Sequence, residues 1–183
     1  MIAAFLDLQG TLGGSGTDDV LSLEFYPFAI PAIKKLNDYG VLVIGITNQS
    51  RIGKAYLTVD EYEAKLQLLK NELTKHGAHF DAIYCCPHIH DDNCDCKKPK
   101  TGMIESALAD FNIDIANSFV IGDMGKTDMV LAHNIGAKGI LVLTGVGLGS
   151  LNEYRRTWSE VEPEYVAENV LDAVGYLLSN IRD

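Results

Sequence analysis

The sequence predicts an α/β fold with a doubly wound (Rossmann-like) parallel sheet flanked by helices, and three observations carry that reading. Short apolar, β-branched-rich runs alternate with helix-like segments along the chain. Polar motifs fall at the ends of those runs, where open parallel sheets bind ligands. A chain of 183 residues with 47% hydrophobic content suffices for one well-buried core but not for two ordinary domains. Residues 1–183 therefore read as a single domain.

The first predicted strand is Ile2–Leu6. Its apolar run meets Asp7 with no basic region before it and no cleavage-like site after it, so it reads as a strand and not as a signal peptide. A helix over Pro27–Tyr39 and a strand over Val41–Ile46 follow. The next helix, Asp60–Lys75, is the best marked. Thr58 with Glu61 makes a capping box, Tyr62, Leu66, Leu69 and Leu73 form one apolar stripe, and Gly77 stops it. That stripe reads as core. Strands at Ala82–Cys85, Phe119–Ile121 and Gly139–Leu143 then alternate with helices at Met103–Phe111 and Asp128–Asn134, and a last helix lies near Ala167–Ser179. Gly145–Trp158, rich in glycine and polar residues, reads as a flexible rim or a partner surface.

The 25 acidic against 15 basic residues give a net charge of −10, which repels nucleic acid and anionic membrane. No apolar run approaches the roughly 18 residues needed to cross a bilayer, so a soluble cytoplasmic protein is expected; the sequence does not fix its oligomeric state, and a monomer is favoured. The concentrated basic stretch, Lys97-Lys98-Pro99-Lys100, fits either a solvated turn or a phosphate-facing corner. Cys85, Cys86, Cys94 and Cys96 fall within twelve residues. Disulfides that staple a small domain are usually spread along the chain, so the clustering favours metal over oxidation.

Four strand ends bring chemistry to one edge of the predicted sheet: Asp7, Thr47-Asn48-Gln49, Cys86–Lys98 and Gly122-Asp123. A strand-end carboxylate followed by Gly10-Thr11 suits a nucleophile or metal ligand, because glycine lets backbone approach a bound group. Thr47 and Asn48 offer neutral donors for a phosphate oxygen, and Lys98 adds a cation that offsets phosphate charge and keeps a neighbouring carboxylate ionised. Asp123 and Asp128 supply acidic oxygens for a hard cation, and magnesium fits an oxygen-only set.

Cys86-Pro87-His88, five residues, then Cys94-Asp95-Cys96 offers three sulfurs and an imidazole, a closed and therefore structural zinc set. This small zinc-binding loop, 86–96, holds almost nothing apolar beyond Pro87 and Ile89, so a metal would replace the missing core and position Lys98 two residues on. Cys85 for Cys86, and His90 or Asp92 for His88, stay open as alternatives. Strand alternation sends Cys85 and Cys86 to opposite faces.

Together, Asp7-Leu8-Gln9-Gly10-Thr11, Thr47-Asn48-Gln49-Ser50, Lys98 and Gly122-Asp123-Met124-Gly125-Lys126-Thr127-Asp128 resemble the four motifs of the haloacid dehalogenase (HAD) superfamily. The resemblance implies a phosphatase in which Asp7 attacks phosphorus to give an aspartyl-phosphate. It places magnesium on Asp7, the backbone carbonyl of Gln9 and Asp123, with Asp128 nearby, and phosphoryl oxygens on Thr47 and Lys98, with Gly10, Thr11 and Asn48 beside them. The cysteine loop followed by Lys97–Met103 is similar to the D-glycero-D-manno-heptose 1,7-bisphosphate phosphatase and histidinol-phosphatase group, which has little or no cap domain. Gly13–Glu24 and Ser50–Thr58 are too short for an inserted cap. The implied substrate is a small phosphorylated metabolite of the sugar phosphate kind, with Arg51, Lys54 and Lys97 available for its distal polar groups.

Gln9 departs from the pattern, since catalytic members carry an acid–base aspartate there. An amide cannot donate a proton at useful cost, and losing such a group typically removes about 10² to 10⁴ in rate. The expectation is a phosphatase slowed at Gln9, with a catalytically impaired phosphate-binding or regulatory module as the alternative. A receiver-type signalling domain is disfavoured because its acceptor would follow strand three, which here ends in cysteines.

Overall fold

A computed structural model describes residues 1–181, so residues 182 and 183 of the expected domain lie outside the described residues. Six parallel strands form one sheet in the order β3-β2-β1-β4-β5-β6: β1 (Ala3–Leu6), β2 (Leu42–Asn48), β3 (Ala82–Cys86), β4 (Phe119–Gly122), β5 (Lys138–Val142) and β6 (Tyr165–Ala167). The order reverses between β1 and β4, which pair through Ala4↔Phe119, Phe5↔Val120 and Leu6↔Ile121. That is the switch point where doubly wound sheets open a crevice.

Alternate side chains of each strand feed opposite faces. Ala4, Leu6, Val43 and Ile121 pack with α1 (Ala29–Asp38), α3 (Val59–Lys75) and α7 (Val170–Asn180), whereas Ala3, Phe5, Ile44 and Val120 pack with α4 (Gly102–Asp110) and α5 (Val130–Ile135). The helices bury the stripes their spacing dictates. In α1 these are Ala29, Ala32, Ile33 and Leu36, and in α7 they are Val170, Ala173, Val174 and Leu177. The predicted capping box forms at α3, where Thr58 accepts from the Glu61 amide. Tyr62, Leu69 and Leu73 are buried there and Leu66 is partly buried.

Three expectations need correction. Ala167 lies in β6, not in the last helix, which begins at Val170 under the cap of Asn169; the strand spans three residues and is too short to leave a periodic signal. The predicted helix Asp128–Asn134 holds over Val130–Asn134 within α5, but Asp128 and Met129 belong to a π-turn, Gly125–Met129, that runs into it. Gly145–Trp158 is folded rather than a loose rim: α6 (Gly147–Leu151) and a 3-10 turn at Arg155–Trp158 pack through the buried Trp158, whose Nε1 donates to the Ser150 carbonyl at 3.0 Å. Between β1 and α1 the only regular helix turn is the 3-10 turn Val20–Ser22, and between β2 and α3 it is the one-turn helix α2 (Ser50–Gly53). Neither forms a cap.

Candidate active site

The switch point places the carboxylates. Asp7 leaves β1 with its amide still bonded to the Ile121 carbonyl at 3.0 Å, and Asp123 leaves β4 beside it. The π-turn then brings Asp128 back to the same edge, where its Oδ2 accepts from the Met124 amide at 3.1 Å. Two glycines permit this crowding. A Cβ at Gly10 would collide with the Asp123 carboxylate, and one at Gly122 with that of Asp128.

Carboxylate oxygens of Asp7, Asp123 and Asp128 lie within 4.8 Å of one another, and Lys98 stands among them. Its Nζ donates to Asp7 Oδ1 and Asp128 Oδ1, both at 2.7 Å. Burial pulls the Lys98 ammonium down, but Asp128 and Asp7 more than offset this and hold it above the usual lysine range. Burial raises Asp7 to about 6 despite the pull of Lys98. Burial, with repulsion from Asp7 and Asp128, raises Asp123 to about 8. Three carboxylates against one ammonium leave a buried excess of negative charge on oxygen-only donors, and that donor set fits a hard divalent cation such as magnesium.

The cavity over these groups is about 110 Å³, lined by Asp7, Gln9, Thr47, Asn48, Lys98, Asp123, Thr127 and Asp128 together with Gly16 and Met124. Asn48 clasps the lysine segment: its Oδ1 accepts from the Lys98 amide at 3.0 Å and its Nδ2 donates to the Lys98 carbonyl at 3.3 Å. Thr11 is buried and donates to Asp7 Oδ2 at 3.4 Å. Gln49 is also buried; its Nε2 donates to Thr47 Oγ1 at 2.9 Å and to Gln9 Oε1 at 2.7 Å. Thr47 thereby has its oxygen engaged and its own proton left for an acceptor. Gln9 in turn donates to the Asp18 carbonyl at 2.7 Å.

The cysteine loop converges on a second centre. One ligand atom from each of Cys86, His88, Cys94 and Cys96 lies within 4.8 Å of the others. Cys86 Sγ is 3.6 Å from both Cys94 Sγ and His88 Nδ1, and His88 Nδ1 is 3.2 Å from Cys96 Sγ. With zinc–sulfur bonds of about 2.3 Å the edges of a tetrahedron are roughly 3.5–3.8 Å, so the set fits zinc. Cys85 is sent to the other face, against Tyr62, while Cys86 packs with Met103 and Ile104 beside α4.

Residues 95–173 match the family described as HAD-hydrolase-like. The probable D-glycero-D-manno-heptose-1,7-bisphosphate 7-phosphatase of Thermoplasma volcanium is 34% identical over 137 residues, 74% of this chain and 94% of that protein. The D-glycero-beta-D-manno-heptose-1,7-bisphosphate 7-phosphatase of Haemophilus ducreyi is 31% identical over 96% of this chain and 97% of its own length. The chain belongs to the HAD superfamily of phosphatases. A crystal structure of the B. bronchiseptica D,D-heptose 1,7-bisphosphate phosphatase, complexed with magnesium and phosphate, superposes on this HAD phosphatase with a TM-score of 0.86 at 28% identity, covering 99% of this chain and all of that one.

Not every predicted site residue of this HAD-family chain reaches the cavity over the carboxylates. Arg51 turns to Asp19, at 3.2 Å, with its guanidinium 5.9 Å from the Tyr56 ring centroid. Lys54 closes α2 on the exposed side and does not line the cavity. Lys97 bonds Ser50 Oγ and donates to the His88 carbonyl at 3.1 Å. It lines a second groove of about 320 Å³ with His90, Lys100 and Lys126, which meets the first at Asn48, Lys98 and Thr127. Lys100 and Lys126 were not among the predicted binding residues, and neither was the buried Gln49. Lys126 sits inside the fourth motif, and Gln49 beside Thr47 in the second; only the fold reveals that one faces the groove and the other ties Thr47 to Gln9.

Proposed function

We propose that this chain is a magnesium-dependent phosphatase for a small phosphorylated metabolite, with a sugar bisphosphate as the substrate class. The array of Asp7, Lys98, Asp128 and Asp123 around one small cavity carries the reading. Asp7 Oδ attacks phosphorus, the P–O ester bond breaks with its electron pair on the leaving oxygen, which takes a proton from solvent and departs as the alcohol, and water later cleaves the aspartyl-phosphate to release phosphate and restore the carboxylate. Lys98 keeps Asp7 ionised and, with the Thr47 hydroxyl, faces the phosphoryl oxygens. Asp7, the Gln9 carbonyl and Asp123, with Asp128 nearby, would hold magnesium, which supplies charge neutralisation to the transferring phosphoryl group. Cys86, His88, Cys94 and Cys96 would hold a structural zinc that fixes the backbone leading to Lys98.

The groove of Lys97, Lys100, Lys126 and His90 supports the bisphosphate. On a chain of net charge −10, a basic groove opening from the phosphate cavity suits a second anionic group on the same small molecule, as in the substrates that the heptose-bisphosphate relatives are named for. Phosphate release from a panel of sugar phosphates and bisphosphates, with magnesium or with chelator, tests this. No release under saturating magnesium, together with no phospho-adduct at Asp7, would sink it.

One observation favours a second reading, a phosphate-binding module with little turnover. Gln9 has both ends of its amide engaged, by Gln49 and by the Asp18 carbonyl, and so acts as a brace. In that reading phosphate binds with magnesium but Asp7 does not turn over, and single-turnover phosphate release separates the two.

A further inference from the structure

We propose that the segment following β5 is a working part of the metal site, with Thr144 and Ser150 as positioning residues for the Gln9 carbonyl, Asp123 and Asp128. This rests on the phosphatase reading and adds to it residues that lie outside all four motifs.

Residues 144–150 reach three separate places in the site. Thr144 Oγ1 donates to the Gly10 carbonyl at 2.6 Å, one peptide on from the Gln9 carbonyl. The Val146 amide donates to Asp123 Oδ2 at 2.8 Å. Ser150 Oγ accepts from the Gly125 amide at 2.7 Å, at the start of the π-turn that carries Asp128. Every group assigned to magnesium other than Asp7 is therefore held, directly or through its backbone, by this one segment.

Each bond settles something the motif residues do not settle by themselves. With Oδ2 taken by an amide, Asp123 has Oδ1 left for a cation. The first amides of a helical turn have no partner inside it. Here Asp128 Oδ2 takes the Met124 amide and Ser150 takes the next one, so Asp128 serves a single amide and keeps Oδ1 for Lys98. Without the Ser150 hydroxyl, the Gly125 amide would be a buried donor one peptide away from the amide that Asp128 already holds, and it would draw on the same carboxylate.

The close approach is built into the chain. Gly145 has φ +57°, and a Cβ there would collide with Asp123 Oδ2 and with Gly10 Cα, so glycine alone lets the segment lie against both. Ser150 is 3% exposed, and its carbonyl accepts from Trp158, whose ring covers Gly125. Magnesium demands near-ideal octahedral geometry at about 2.0–2.1 Å and tolerates misplaced oxygens poorly. Bonds that hold its ligands in place are then worth more with the ion bound than without it.

Isothermal titration of the metal-free protein with magnesium chloride reads this role without turnover. Thr144→Val keeps the side-chain shape and removes the donor, and it should weaken magnesium binding about threefold to tenfold, the size of one hydrogen bond. Ser150→Ala should do the same. Should Ser150→Ala fail to fold, Thr144→Val decides, because it leaves no space empty. Thr144→Ser restores the hydroxyl and should bind within about twofold of the unaltered protein. If these hydroxyls only support the fold, each loss falls equally on the metal-free and metal-loaded forms, lowering both Tm values and leaving the dissociation constant where it was. An unchanged dissociation constant in Thr144→Val, or a Thr144→Ser as weak as Thr144→Val, would overturn the inference and leave the phosphatase reading intact. No magnesium binding by the unaltered protein would sink the metal site and both readings with it.

Discussion

In the proposed reaction, turnover turns on Gln9. Its carbonyl oxygen accepts from Gln49 Nε2 at 2.7 Å and its nitrogen donates to the Asp18 carbonyl at 2.7 Å, so the amide holds the segment after β1 while supplying no proton. Gln9→Asp should raise phosphate release from alkyl phosphates by about 10² to 10⁴, measured as initial rate under saturating magnesium. The shorter carboxylate gives up the bond to Asp18, so a modest loss of stability is expected with the gain in rate. An unchanged rate would argue for the binding-module reading. In the unaltered protein the phospho-adduct at Asp7 should outlive that of Gln9→Asp, which acid-quenched mass spectrometry can follow. The sequence exposed the substitution at position 9 because its neighbours fit a motif. It could not expose the brace, since Asp18 and Gln49 join Gln9 only through tertiary contact.

Among the elements, the loop between β3 and α4 lies furthest from ordinary burial. Residues 87–95 are all at least partly exposed, and the segment gathers four candidate ligand atoms, from Cys86, His88, Cys94 and Cys96, in place of a core of its own. Cys94→Ser should lower zinc affinity by 10-fold or more, read by metal analysis after dialysis. It should also open the loop to proteolysis and reduce phosphate release through misplacement of Lys98. Retained activity in a zinc-free Cys94→Ser protein would separate the loop from catalysis. Ligand spacing made this loop legible, just as the 3.6-residue stripes of α1, α3 and α7 made those helices legible. The elements that were not legible share a cause. In α6, Gly147-Leu148-Gly149-Ser150-Leu151 has poor intrinsic helix propensity and is held by Trp158 and by the bond from Gly125 to Ser150. In β6, three residues gain strand structure only by pairing with β5 through Ile140↔Tyr165, Leu141↔Val166 and Val142↔Ala167.

For the whole molecule, the carboxylate cluster couples folding to protons and, in the proposed function, to magnesium. Folding raises Asp7 to about 6 and Asp123 to about 8, burial being the main cause for both. A carboxyl group raised on folding stabilises the fold while it is protonated, below its unfolded value of about 4. That contribution is lost as pH climbs through the raised value. The metal-free protein should therefore lose this part of its stability between about pH 4 and pH 8. Magnesium requires the ionised oxygens and competes with those same protons, so its stabilisation must grow over the same window. At a free magnesium concentration of 100 times its dissociation constant the stabilisation is about 2.7 kcal/mol, or roughly 5–10 °C in Tm for a domain of this size. The expected measurement is a difference in Tm with and without magnesium that is small at pH 5 and largest near pH 8. Taking the difference cancels the carboxylates elsewhere on this acidic chain. Asp123→Asn should abolish the magnesium shift, and because it removes a buried, repelled carboxylate it should leave the metal-free protein at pH 8 no less stable than before. A magnesium shift that stays constant from pH 5 to 8 would mean that the ion binds outside the Asp7, Asp123 and Asp128 cluster.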